Sequence, residues 1–248
     1  MAPASPTGRI LLVCATAMEL APFLDRRDWE DVPSPAFPGT PILKRLTQAP
    51  TDILITGPGM TNTIHGLTAY LAQSPHRPEI IFDIGIAGAF DRDGNGPGIG
   101  DIVVGSRSVY AHTGVTGAAL PHQPLPFDLI PGMTETRQGV YATNPVLVDQ
   151  WTQLFFQVGL PCHQGPILTV SAITGTPEAA QELEQAHSPV AEAMEGAGVA
   201  HVASLYRIPF LEIRSISNAV GERDKQLWDI PGACKRLAEV ADCLSSHS

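Results

Sequence analysis

Five short, continuous apolar runs punctuate the chain: ILLVCAT at 10–16, DILITG at 52–57, EIIFDIG at 79–85, PILTVSA at 166–172 and PFLEIRSIS at 209–217. A strand with one wet face alternates apolar and polar residues. These runs do not, so both of their faces need cover. A mostly parallel sheet between layers of helices supplies it. The segments between the runs have helical character. One helix is predicted over 61–73. NPVLVDQWTQLFFQVG has helical spacing, with Asn144 as N-cap and Pro145 at the first helical position. TPEAAQELEQ starts from Thr176 as a cap, MEGAGVAHVASLYR is a helix of small residues, and the last helix covers 227–244. PILKRLT at 41–47 is more polar and reads as an edge strand, and GDIVVGSRSVYAH is long and β-rich. With 248 residues, 44% hydrophobic and 16% charged, the pattern describes a single α/β domain over 1–248 with a flexible tail at 1–8.

Several classes of function are disfavoured. A formal net charge of −10 argues against nucleic acid or an anionic membrane as the main partner. The longest apolar runs are too short to span a bilayer. MAPASPTGR has no apolar signal core, so a cytoplasmic protein is expected. Cys14, Cys162, Cys234 and Cys243 are scattered without a C-x-x-C pair, and read as reduced and structural. No metal site and no cofactor are expected.

In open parallel sheets, ligands bind beyond the carboxyl ends of the strands. Glu19 follows the first run; it is either an ordinary first-turn glutamate favoured by the helix dipole or a carboxylate aimed into the strand-end cleft. Glu195 starts the small-residue helix; it is either a satisfied helix-start carboxylate or, since a buried carboxylate without a cationic neighbour is costly, one with a functional purpose. Glu192 reads as solvent-facing or strand-edge. TGPGMTNT and GIAGAF read as glycine turns that either only turn the chain or cradle an anion, and neither carries a Walker or dinucleotide pattern. Asn218 and Gly221 read as a turn after the last run. His201 reads as a core or interface histidine. The loop 113–137, stiffened by Pro121, Pro124, Pro126 and Pro131, is long enough to be functional or mobile.

GIAGAF…GIGDIVVGS, AMEGAGVAHVA and PFLEIRSISN together resemble the purine nucleoside phosphorylase/nucleosidase family, over nearly the whole chain. The resemblance is strongest to the nucleosidase branch, and the ending EIRSISNAVGERD…W is most similar to the futalosine hydrolases of menaquinone biosynthesis. It implies a central mixed twisted sheet, partly closed into a barrel and flanked by helices. It also implies a homo-oligomer, with a dimer expected. By position, Glu19 matches the residue that activates water, and Glu195 the carboxylate that grips the ribose hydroxyls with Met194 under the sugar. Asn218 matches the position facing the purine N7 and C6 substituent. Ile86, Ala87 and Gly88 are expected among the substrate-binding residues, and Ile173 lies in the segment 170–174 expected to meet the base. Val115 and Trp228 match the 5′-substituent pocket, and residues 112–116 line that pocket or a dimer interface.

The chemistry agrees with these residue types. Cleavage of an N-riboside passes through an oxocarbenium-like sugar. One carboxylate stabilises that cation, a second deprotonates water, and a hydrogen-bonding group receives the departing base. Asn at 218, where adenine-type nucleosidases have Asp, can donate to a C6 carbonyl and accept from a protonated N7. Hypoxanthine is therefore the expected leaving base. Asp83 and Ile86 stand where the phosphorylases hold phosphate, and Asp83 would repel it, so water is the expected nucleophile. Arg223 either binds a 5′ carboxylate beside Trp228, as part of a lid, or pairs with Asp224 or another surface acid. The remaining readings are a methylthioadenosine/S-adenosylhomocysteine or aminofutalosine nucleosidase, and a non-catalytic nucleoside-binding protein.

Overall fold

A computed structural model describes residues 8–32, 42–47, 49–90, 94–117 and 120–247. Of the N-terminal tail, residues 1–7 lie outside this set, as does Pro41 of the expected edge strand. The apolar runs become strands β1 (Ile10–Cys14), β4 (Thr51–Ile55), β5 (Ile80–Ala89), β10 (Cys162–Thr169) and β12 (Phe210–Ala219). The segment 101–112 supplies β6 (Ile102–Tyr110). Four shorter strands join them: β2 (Trp29–Val32), β3 (Ile42–Leu46), β9 (Val140–Ala142) and β11 (Ala191–Ala193). β1, β4, β5 and β12 run parallel, whereas β6 and β11 introduce antiparallel pairs. The sheet is therefore mixed.

Strand order is β11-β10-β6-β12-β5-β1-β4-β3-β2, and β11 pairs again with β5. That extra pairing closes β5, β12, β6, β10 and β11 into a five-stranded barrel, which leaves β1 to β4 as an open wing. β3 lies between β4 and β2, so the edge belongs to β2 and not to the strand expected there. Two β-rich surprises follow from tertiary pairing. GIAGA is not a turn but the second half of β5, extended because β11 and β12 pair along it. The loop 113–137 contains a hairpin, β7 (Val115–Gly117) with β8 (Leu120–Gln123), and a 3-10 turn over Thr134–Gln138.

Helices cover both faces. On one side α1 (Ala17–Leu24), α3 (Pro145–Gln157) and α6 (Ile230–Ser246) bury Leu20, Phe23, Trp151, Phe155 and Leu237 against Leu12, Phe82 and Ile213. On the other, α2 (Met60–Gln73) and α5 (Gly196–Tyr206) pack Leu67, Val199 and Ala203 onto Leu11, Val13 and Ile81. Alternate residues of β1 thus face opposite cores, as its unbroken apolar run requires. The remaining helix, α4 (Pro177–His187), has Thr176 as its cap and no fully buried residue. Asn144 caps α3 by accepting from the Val146 amide, with Pro145 at the first helical position. The last helix starts later than expected, because a 3-10 turn over Lys225–Leu227 precedes Asp229, whose carboxylate caps α6 through the Gly232 amide.

Candidate active site

The carboxyl ends of β1, β5, β10, β11 and β12 open onto one cavity of about 260 Å³. Glu19, Ile86, Ala87, Gly88, Ile173, Met194, Glu195, Asn218, Arg223 and Trp228 all line it. Val115 does not. It lies half-exposed on β7, and His112 is exposed beside Tyr110, so among the described residues 112–115 form no part of the wall.

Glu19 is the third residue of α1 and forms a capping box with Thr16. Its Oε2 accepts from the Thr16 amide at 2.8 Å and the Thr16 hydroxyl at 2.9 Å. Oε1 accepts from the Ile86 amide at 3.1 Å and keeps one lone pair. Only Oε1 is thus open to a further proton donor. Burial pushes the Glu19 carboxyl up, the Ile86 amide and Arg214 pull it down, and Glu195 adds to the rise. Glu195 opens α5. Its Oε1 accepts from the Gly59 amide at 2.8 Å and its Oε2 from the Met194 amide at 3.2 Å. The glycine turn after β4 therefore orients a carboxylate instead of cradling an anion. Asn218, on β12, accepts from the Ser217 hydroxyl and donates to the Ala219 carbonyl, both at 2.8 Å. One N–H and one acceptor position of the amide stay free.

Behind the wall lies a residue the sequence reading passed over. Arg214 is fully buried on β12. Its guanidinium binds the Asp83 carboxylate, donates to Glu212 Oε1 at 3.0 Å and lies 3.7 Å from Glu195 Oε2. It supplies the cationic neighbour that Glu195 was expected to lack. A charged residue in the apolar run EIRSIS was the available signal. Asp83 is likewise enclosed and faces Arg214, not the cavity, so it makes no direct contact with an incoming anion. Burial raises both Asp83 and Glu212, with Arg214 as the main opposing influence. Gly85 makes the arrangement feasible: a Cβ there would sit 2.3 Å from Arg214 Nη1 and 3.0 Å from Glu19 Oε1.

A sequence profile of the phosphorylase superfamily matches residues 9–244. The chain belongs to that superfamily. A futalosine hydrolase of Acidothermus cellulolyticus is 36% identical over 199 residues, covering 80% of this chain and 76% of the relative. A futalosine hydrolase of Thermus thermophilus is 29% identical, covering 93% and 92%. A 5′-methylthioadenosine/S-adenosylhomocysteine nucleosidase of Maridesulfovibrio salexigens is 29% identical, covering 72% of each. Among solved structures, the Helicobacter pylori futalosine hydrolase superposes with a TM-score of 0.80 at 19% identity, covering 97% of this chain and 98% of that one. A point mutant of the Helicobacter pylori methylthioadenosine nucleosidase, with 5′-methylthioadenosine in its active site, gives 0.81 at 19%, covering 97% and 99%. The partly barrelled fold expected from the superfamily is the fold observed.

Glu192 was misread. It is 7% exposed, not solvent-facing, and stands on the cavity wall. It lies on β11, a strand too short to register as a run. Arg223 is exposed, with its guanidinium 5.0 Å above the Trp228 ring rather than in an ion pair with Asp224. No described helix is long and apolar enough to cross a membrane.

Proposed function

We propose that the chain hydrolyses the N-ribosidic bond of futalosine, releasing hypoxanthine and the dehypoxanthine product, as a step of menaquinone biosynthesis. The observation that carries this is the convergence of Glu19, Glu195 and Asn218 on one cavity in a chain 36% identical to a futalosine hydrolase. Glu195, at the start of α5, takes the ribose hydroxyls on its free lone pairs and stabilises the developing sugar cation. Met194 packs beneath the sugar. Glu19 deprotonates water through Oε1. Asn218 donates its free N–H to O6 and accepts from N7–H as the base departs.

Water as nucleophile has a support that the sequence did not provide. The Ile86 amide already donates to Glu19, so an anion at this strand end would meet a carboxylate instead of a donor. The oligomer is proposed as a homodimer, and the compartment as the cytoplasm. The methylthioadenosine reading has relatives of its own, but an Asp-type proton donor is lacking at 218.

Incubation of the protein with futalosine, aminofutalosine and methylthioadenosine, without phosphate, tests the reading through the base released. Hypoxanthine from futalosine is expected, and Glu19→Gln should slow it roughly 10²–10⁴-fold while sparing binding. Preference for a 6-amino substrate, or a requirement for phosphate, would overturn it.

A further inference from the structure

Glu192 has no part in the chemistry described so far, yet it is buried in the cavity wall. Sheet register explains how it got there. Gly88 of β5 is paired on one side with Asn218 of β12 and on the other with Glu192 of β11. Residues paired across neighbouring strands share a face. Asn218 and Glu192 therefore flank the same glycine, two strand spacings or about 10 Å apart at the backbone. Gly88 keeps the floor between them open. A Cβ on it would lie 3.2 Å from Asn218 Nδ2 and 3.0 Å from Val220 Cγ2. A flat bicyclic base lying over Gly88 would present one edge to each side chain.

The carboxylate of Glu192 is held for such a contact. Its Oε1 accepts from the Thr174 amide at 3.0 Å and its Oε2 from the Thr174 hydroxyl. Each oxygen keeps a second lone pair. Among the described residues no cationic side chain comes within ion-pair distance of it; His112 and Arg223 act only from farther away. Burial raises its carboxyl, and the two Thr174 donors offset part of that rise. A buried, immobilised acceptor lacking a charge partner is costly until a ligand donor completes it.

We infer that Glu192 reads the purine, accepting the N1–H of a 6-oxopurine laid over Gly88 opposite Asn218. This rests on the function proposed above and adds a residue that selects the substrate. A 6-oxopurine carries a proton on N1. A 6-aminopurine offers a lone pair there, which a carboxylate repels. Asn218 and Glu192 then check two edges of one base, and an amino-purine fails at the second even where an amide tolerates it at the first.

Initial rates of the wild type and Glu192→Gln are compared on futalosine and aminofutalosine, which share one 5′ group. Glutamine can accept from N1–H or donate to a bare N1. The wild-type preference for the 6-oxo substrate in kcat/KM should shrink by roughly ten-fold or more in the variant. A residue that only braces Thr174 would slow both substrates equally and leave the ratio unchanged, and that result overturns the inference. A second measurement needs no variant: 1-methylhypoxanthine should inhibit the wild type at least ten-fold more weakly than hypoxanthine, and equal inhibition also overturns it. If the wild type itself prefers aminofutalosine, the proposed function falls with it. If the 6-oxo preference stands and the ratio does not move, only the role of Glu192 falls.

Discussion

Single residues here act through the lone pairs and protons their neighbours leave them. Arg223 offers a clear case. Its guanidinium lies over Trp228, whose indole N–H donates to the Glu222 carbonyl at 3.3 Å, so ring and cation form one unit at the cavity mouth. Stacking occupies the face of the guanidinium and leaves its N–H edge for a carboxylate. Arg223→Ala should raise KM for futalosine by roughly ten- to a hundred-fold, the range of a hydrogen bond to a charged group, and leave inosine nearly unaffected. Steady-state kinetics on both nucleosides decide it; equal changes would remove the 5′-carboxylate contact. Glu19 and Asn218 were legible in the sequence because each follows a recognisable run, and Glu195 because it starts the small-residue helix. Arg214 and Glu192 were not. Their partners lie 131 positions away at Asp83 and 18 positions away at Thr174, and no local pattern announces such pairs.

At the scale of elements, the start of α5 is seated on β12 through a glycine. A Cβ on Gly196 would lie 2.1 Å from Glu212 Oε2 and equally close to the rest of that carboxylate. Glu212 cannot swing aside cheaply, since the Ser108 hydroxyl and Arg214 hold it and no solvent reaches it. Gly196→Ala should therefore break a buried ion pair and cost about 3–5 kcal/mol, measured by chemical denaturation. Because Glu195 is the preceding residue, the same substitution should also lower kcat. A loss below about 1 kcal/mol would mean that Glu212 relocates without leaving Arg214 unpaired. The small-residue composition of the α5 segment was visible in the sequence, but the carboxylate beneath Gly196 was not.

Taken as a whole, the molecule encloses one arginine among the carboxylates of Asp83, Glu212, Glu195 and Glu19. Burial holds Asp83, Glu212 and Glu19 above their ordinary values of 3.8, 4.5 and 4.5. The folded chain thus keeps protons that the unfolded chain has already released. The resulting penalty is absent below the unfolded values, grows as pH rises through the raised ones and is then constant. His201 acts oppositely, because burial lowers it from 6.5, but its contribution is complete above that pH. As pH rises from the ordinary carboxylate values through the raised ones, these three groups should lower the melting temperature, and calorimetry over that rise checks it. A Tm that does not fall would show that the folded cluster releases its protons at the ordinary values.

By itself the sequence determined the layered α/β arrangement, because unbroken apolar runs cannot tolerate a wet face. It also placed three candidate site side chains near strand ends, and through Asn218 it pointed to the class of base proposed. Tertiary structure decided the rest. Closure of the barrel depends on the short strand β11 meeting β5, a pairing whose register is set by the packing of distant segments and not by any local spacing. That contact, together with β12 along the other side, made GIAGA a strand instead of a turn, and it brought Glu192 across from Asn218. Burial likewise turned Asp83 from a supposed barrier to phosphate into a partner of Arg214. A charge outside water must find its counter-charge wherever the fold puts one.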